Sequence, residues 1–538
     1  MPSLPLPDSS LRLLPAGSDG VLVEVADLEQ ALALFASLRD EPLPGVQELV
    51  PAARTVLVRF DPVRTGPAEL AAQLRRRQLT PTAGGGGTLV SVPVHYDGED
   101  LAEVATLCGL DEADVVRRHT AAPWTVAFTG FAPGFAYLSG GDPALDVPRR
   151  TEPRTAIPPG SVALAGRFSG IYPRASPGGW QLLGRTSLAM WDLGREDPAL
   201  LRPGMRVRFV DAGPSADPPE PARISPPPGA VATRALEVLA PGALTVVVDL
   251  GRPGRSAQGV SRSGAVDRTS LRRANRLVGN PAGAPALEVA AGGLRVRAHG
   301  DLVLAVTGAP APLTGATATE EHPLPGQQVF ALDDGAELHL APPGRGVLSY
   351  VAVRGGLAVD PVLGSASSDL LAGIGPGPLR AGDVLAVGSG AVSAVALDAD
   401  AVPDLPAAEE VVDVDVLFGP RDDWFSERAL DLFARQEWTV TPRSNRVGLR
   451  LEGAEALERS RPGELPSEGT VPGAVQIPPN GQPVVFTADH PVTGGYPVIA
   501  CVAAHHLGRV GQVPTGGRVR FRPVPPADLQ PAPPGGRP

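Results

Sequence analysis

RASPGGWQLLGRT at 174–186 and HPVTGGYPVIACV at 490–502 share two glycines, an aromatic residue and a run of mostly small and apolar residues. Each copy keeps the same company. Upstream stand PPGSVALAG (158–166) and VPGAVQIPP (471–479); downstream stand PGMRVRFV (203–210) and GGRVRFRP (516–523). Gly160 precedes Gly179 by 19 residues, and Gly473 precedes Gly495 by 22. Arg206 follows Gly179 by 27, and Arg518 follows Gly495 by 23. Three phrases in one order at similar spacing predict a duplicated β-domain, one copy at 88–212 and another at 411–524.

A chain of 538 residues is too long for one core, so several domains are expected. Its 64 glycines and 62 prolines punctuate short apolar runs such as TLVSVPVHY and LTVVVDL, which predicts many turns between short strands rather than disorder. Residues 1–82 read as a small α/β (ferredoxin-like) domain: GVLVEV, VQELV and RTVLVRF as strands, DLEQALALFASLRD and GPAELAAQLRRR as helices, with Asp27 capping the first helix. AGGGG at 83–87 is a hinge. Two short helices ending near His119 open the first repeated unit. A Pro-rich linker at 213–230 leads to a first β-barrel region at 231–405, interrupted by one helix at 266–278. The second repeated unit follows, and 525–538 read as a disordered tail. The fold class is mainly β, with repeated barrels behind a small α/β domain.

The sequence contains no lysine. It therefore cannot carry biotin, form a Schiff base or supply a P-loop lysine, and any phosphate must be held by arginine, backbone amides, hydroxyls or a metal. A net charge of −11 without a basic block argues against nucleic acid. No signal peptide or membrane span is read, so a soluble cytoplasmic protein is expected. Cys108 and Cys501 sit among apolar residues, where packing is the expected role.

Several long phrases resemble paired families known as allophanate hydrolase subunits 1 and 2, or 5-oxoprolinase subunits B and C, or the kinase-inhibitor protein and its antagonist. GFAPGFAYL (130–138), PRRTEPRTAIPPGSVALAG (148–166) and GIYPRASPGGWQLLGRT (170–186) resemble the first. DLGRPGRSAQGVSRSGAVDRTSLRRANRLVGN (249–280), VRGGLAVDPVLGSASSDLLAGIGPGPLRAGD (353–383) and SNRVGLRLEG (444–453) resemble the second. The resemblance implies cyclophilin-like β-barrels and a fusion of the two families in one chain. It also implies ATP with Mg2+, a separate partner in the A subunit of 5-oxoprolinase, and opening of the lactam of a small-molecule substrate, 5-oxoproline, to glutamate. Homo-oligomerisation is compatible with it. Two departures stand out: Val248 replaces a glutamine of the second family, and His506-Leu507 replaces an Asp-Leu. Rival expectations are a carboxyltransferase component like that of urea carboxylase or urea amidolyase, with biotin on another protein, and a regulatory module binding a histidine kinase.

Activating a lactam oxygen by phosphorylation needs cations or N–H donors around phosphate and a base for water. Arg150, Arg154, Arg185, Arg252 and Arg446 are the candidate cations, with Arg154 assigned a catalytic role. Gly130, Gly134, Gly178, Gly179, Gly494 and Gly495 could expose backbone amides to a ligand, or else form tight turns between strands. Trp180 and Tyr496 are a ligand platform or core, and Gln476 is a candidate contact. Phe131, Phe135 and Tyr137 bury something, with an interface or cleft wall favoured. Ser263, Asp267 and Asn275 face a cleft on the sharper reading, with Asp267 catalytic, or bond a neighbouring loop on the plainer one. His119 is the candidate acid or base against a helix-terminal surface histidine, and no histidine pair has metal-ligand spacing.

Overall fold

The computed structural model describes residues 4–5, 11–79, 88–150, 152, 154–213, 233–317, 320–390, 392–397, 404–463 and 465–525. The hinge at 83–87, nearly all of the linker and the tail from 526 lie outside the described residues. Within them no helix is long and apolar enough to cross a membrane.

The two repeated units share one topology. In the C-terminal one, seven strands close a barrel in the order Val411–Phe418, Val498–Val502, Ala474–Gln476, Val484–Phe486, Gly448–Glu452, Trp438–Val440, Arg518–Pro523. Closure is a parallel pairing of the last strand with the first, Arg518 opposite Val411. In the first unit the order is Gln181–Arg185, Ser161–Ala165, Phe168–Ile171, Ala136–Ser139, Trp124–Thr129, Arg206–Asp211, Leu89–Val94. Here too the last strand runs parallel to the first, Arg206 opposite Leu89, and a bridge between His95 and Arg185 joins the outer edges. Each barrel has a helix that packs on it. Glu112–Ala121 was expected; its counterpart Glu427–Arg435 was not read from the sequence, although it has an N-cap in Ser426.

Between the barrels, a six-stranded and a five-stranded antiparallel sheet face each other across one core that includes Leu236, Leu294, Leu304 and Val351. Helix Arg268–Leu277 packs against the five-stranded sheet through Leu271, Ala274 and Leu277. Among the described residues this region shows no parallel closing pair like that of the two barrels.

The N-terminal sheet has the order Arg12–Pro15, Gly20–Glu24, Thr55–Phe60, Val46–Pro51, all antiparallel. Asp27 caps helix Leu28–Asp40 by accepting from Gln30 N. The strand beside Gly20–Glu24 comes from the amino terminus, Arg12–Pro15, whereas Gln78–Leu79 after the second helix pairs with Leu4–Pro5. This small domain works as a keystone. Leu22, Val50 and Leu57 pack with Val471, Phe486 and Val498 of the C-terminal barrel, while Leu28 and Ala53 pack with Phe128 and Phe135 of the first.

Candidate functional site

A cleft of about 500 Å3 lies where the N-terminal domain, the central sheets and the C-terminal barrel meet. Arg59 stands at one wall, and Arg262, Arg268 and Arg272 come from SRSGAVDRTSLRR, the turn and first helical turns of Arg268–Leu277. Arg509 also lines the cleft. Arg59 is balanced by Asp19, with Glu48 3.9 Å away. Arg262 donates to Leu250 O and Arg268 to Ser263 O, both at 3.2 Å. Among the described residues Arg262, Arg268 and Arg272 form no ion pair with a carboxylate. Burial, and then the like charges of Arg262, Arg59 and Arg272, pull Arg268 down to about 9. The cleft thus gathers cations that weaken one another, an arrangement whose electrostatics favour an anion.

The floor is a chain of buried hydrogen bonds. Asp267 caps the helix: its carboxylate accepts from Ser270 N (3.1 Å), Ser270 Oγ (2.6 Å) and Gln512 Nε2 (3.0 Å). Its backbone N–H donates to Tyr350 Oη (2.7 Å), which donates to Glu288 (2.7 Å). Arg446 joins Glu288 to Asp489, with Nε 3.0 Å from Asp489 Oδ2. Burial opposes the charge of Arg446, but Asp489 and Glu288 outweigh it and keep the guanidinium firmly protonated. Ser263 donates to Asp489 Oδ1 at 2.6 Å and holds φ at 52°, a left-handed backbone that is rare outside glycine. Deeper still, burial and the charge of Asp489 raise Asp369 to about 6. Arg252 is fully buried beside it, donating to Val362 O and Ser367 O with one nitrogen 4.0 Å from Asp369.

These contacts revise several expectations. Asp267 borders the cleft, but both carboxylate oxygens are occupied, so it positions the helix and is not a free base. Ser263 and Arg446 lie beneath the cleft. Asn275 does not face it; Asn275 is fully buried and donates to Ala284 O (2.8 Å) while accepting from Asn280 (3.1 Å), which ties the helix to the loop that ends it.

The candidates of the first barrel are not free either. Arg154 grips Asp100 through two nitrogens at 2.8 and 2.9 Å and reaches Glu99; Arg150 holds Asp100 at 2.7 Å and Glu103 at 3.3 Å; Arg185 bonds Asp97. Each guanidinium is matched by a carboxylate of the 97–103 segment, so these arginines fasten that segment to the barrel and are not open to phosphate.

His119 is wholly buried. Tyr96 Oη lies 2.8 Å from its Nδ1 and Ser169 Oγ 3.0 Å from its Nε2. Because Ser169 donates to Ala163 O, it accepts from Nε2–H, which fixes the neutral tautomer. Burial lowers His119 to about 3. With both nitrogens occupied inside the core it has no substrate to meet, and the acid/base expectation is corrected.

The glycines are packing devices. A Cβ on Gly130 would fall 1.9 Å from Thr493 Oγ1, and one on Gly178 2.3 Å from Tyr172 Oη. Gly134 donates to Gln258 O, and Gly179 O accepts from Arg150 N. Gly494 leaves room for Gln476, whose Nε2 donates to Tyr496 O (3.2 Å), and Gly495 adjoins Leu465. The aromatic loop is an interface, as favoured: Gly130 meets the C-terminal barrel, and Thr129 donates to Ala257 of the central region. Trp180 is core, edge-on to Phe135 and Tyr137, whereas Tyr496 is 45% exposed beneath Arg459.

Asp415, His505 and His506 place ligand atoms within 4.8 Å of one another at the cleft rim. The trio is a poor cation site. His506 Nδ1 already accepts from Asp415 N (2.8 Å), and Asp415 is paired with Arg522 (2.6 Å).

The arginines of the cleft were missed by sequence reasoning. Their signal was present as four arginines within the ten residues RTSLRRANRL, directly after a Ser-Gly turn.

Residues 258–523 match the carboxyltransferase domain, subdomain A and B, and residues 11–201 the carboxyltransferase domain, subdomain C and D. Over 291 residues the chain is 39% identical to the 5-oxoprolinase C subunit of Escherichia coli (strain K12), covering 53% of this chain and 90% of that protein. Over 124 residues it is 51% identical to the 5-oxoprolinase B subunit of Escherichia coli O157:H7, covering 22% of this chain and 57% of that protein. The crystal structure of TTHA0988 is 39% identical with a TM-score of 0.80, covering 94% of this chain and 99% of that one. With both subdomain pairs in one polypeptide, the chain belongs to the carboxyltransferase-domain family, as a fusion of homologues of 5-oxoprolinase subunits B and C.

Proposed function

We propose that this chain is the fused B and C component of an ATP-dependent 5-oxoprolinase, opening the lactam of 5-oxoproline to L-glutamate with a separate A subunit. The observation that carries the reading is similarity to both the B and the C subunits within one chain. The cleft supports it chemically. 5-Oxoproline keeps a carboxylate throughout the reaction, and Arg262, Arg268 and Arg272 supply counter-charge without an ion-pair carboxylate among the described residues. In the reaction the lactam oxygen takes the γ-phosphoryl group, one water adds to the carbon, the ring C–N bond breaks to leave the acyl phosphate of glutamate, and a second water releases phosphate and glutamate. The part proposed for this chain is binding and orientation.

The test mixes the purified chain with its cognate A subunit, 5-oxoproline and ATP, and follows glutamate and ADP. Matched production of both is expected, and Arg268→Gln should raise the KM for 5-oxoproline about tenfold or more. The carboxyltransferase matches favour one rival, a component of a biotin-dependent carboxylase. Bicarbonate-dependent turnover with a supplied biotinyl carrier, and none with the A subunit, would establish the rival instead.

A further inference from the structure

A second cavity, of about 960 Å3, lies away from the arginine cleft, between helix Leu28–Asp40, the first barrel and the turn at 254–258. Its volume is in the range of about 300–1,000 Å3 usual for small-molecule sites. Three features define what it fits. Leu32, Phe35 and Met205 give it an apolar wall. Gln258 lines it with Oε1 buried and without a hydrogen-bond partner, a costly state for a native amide. Arg167 and Arg206 stand on it as cations: Arg167 lies 5.9 Å over the Phe168 ring, and neither forms an ion pair with a carboxylate among the described residues.

An apolar wall, an amide oxygen that lacks a donor and two guanidinium groups without a carboxylate partner suit one molecule with an aromatic base and an anionic tail; Glu29, and Asp197 in its pair with Arg202, complete the charged lining. We propose that this cavity binds an adenine nucleotide. Adenine offers an exocyclic N–H beside a ring acceptor, the pattern a glutamine amide pairs with in two hydrogen bonds. Guanine can pair with the same amide only by its other edge, through N1–H beside O6, because its N7 edge presents acceptors alone. The apolar wall takes the base, and Arg167 and Arg206 take the phosphates. Assigning ATP as the nucleotide rests on the proposed function, whereas the site itself stands on the geometry. Its far wall touches the arginine cleft through one connection: the amides of Gly254 and Ser256 point to Glu48 Oε1, and Glu48 stands 3.9 Å from Arg59.

Calorimetric titration of the full chain on its own tests the proposal. ATP should bind at least about tenfold more tightly than inorganic triphosphate, because only ATP brings a base to the apolar wall and the amide. Gln258→Leu, which places an apolar side chain where an unpaired amide stood, should weaken ATP and adenosine alike. Arg167→Gln and Arg206→Gln should each weaken ATP about tenfold and leave adenosine within about twofold. No binding of ATP, equal affinity for inorganic triphosphate, or unchanged ATP affinity in all three variants would overturn it. So would displacement of ATP by an aromatic sulfonate from the Gln258→Leu variant as readily as from wild type, which would mark a general apolar site. A chain that binds ATP in this way yet produces no glutamate with the A subunit would sink the 5-oxoprolinase reading and leave the site standing.

Discussion

The two barrels carry the same scaffold and differ where a polar residue is substituted into it. Trp124 lies opposite Val207, and Trp438 lies opposite Val519. Each indole donates to the carbonyl of a residue five positions earlier, His119 in one barrel and Phe433 in the other. His119 stacks on Phe209 at 4.3 Å; Phe433 stacks on Phe521 at 4.4 Å. His119 therefore occupies the place of a core phenylalanine, its nitrogens satisfied by Tyr96 and Ser169. A histidine beside a helix end looks like chemistry in one sequence, and its duplicate shows it to be packing.

The largest expected effect contrasts how the two barrels use arginine. Arg446 sits fully enclosed between Glu288 and Asp489, so Arg446→Met leaves two buried carboxylates without their cation. Breaking one partner of such a set costs about 3–5 kcal/mol. Arg154→Met in the first barrel leaves Asp100 still bonded to Arg150 and to Leu182 N, with its own side chain 20% exposed, and should cost about 1 kcal/mol. Thermal unfolding of both variants checks the contrast. Equal losses would mean that the central network is no more than another solvated clamp.

The next effect is one of pH. His119 is lowered to about 3 in the fold, so the native state resists a proton that the unfolded chain accepts near 6.5. Its contribution is fully present above the unfolded value and is lost as pH falls toward 3, by up to about 4 kcal/mol. His119→Phe makes the first barrel like the second and should flatten stability over that window, while costing about 1–3 kcal/mol at pH 8, chiefly for the Tyr96 hydroxyl left without its partner, since Ser169 keeps its bond to Ala163 O. His490, lowered to about 4 chiefly by burial, has the same sign, so the difference between variant and wild type isolates His119. An unchanged acid midpoint would show that the ring is not held neutral.

Much of this architecture was legible because repetition is a long-range signal. Gly160 and Gly473 each accept from the strand that follows the Gly-Gly-aromatic phrase, through Thr186 N and Val502 N, both at 2.9 Å. The spacing marked the two units as copies, and the matching contacts are what the shared order of phrases builds. The N-terminal helices followed from apolar periodicity and from Asp27. What stayed hidden was pairing across distant segments. Arg154 reads as a free cation until the fold brings Asp100 to it, and Asp267 reads as a base until Gln512 arrives from 245 residues away. Arg268 shows the reverse case. It lies in an ordinary helical start, and its meaning depends on Arg59 from another domain and on forming no carboxylate pair within the described protein.

The smallest effect separates the two aromatic residues of the opening phrase. Trp180 packs edge-on against Phe135 and Tyr137 and is 6% exposed. Emptying an aromatic core position costs about 3–5 kcal/mol, and Trp180→Ala should lose that much. Tyr496, at 45% exposure, has the guanidinium of Arg459 5.7 Å over its ring, and the hydrogen bond nearby uses its backbone carbonyl, which alanine retains. An exposed cation–π contact contributes about 0.5–1 kcal/mol, so Tyr496→Ala should shift unfolding by no more than that. A duplicated phrase thus supports the core in one copy and displays its aromatic ring in the other. A Tyr496→Ala loss as large as that of Trp180→Ala would mean that the ring is covered in solution, so that the second copy, like the first, packs as core.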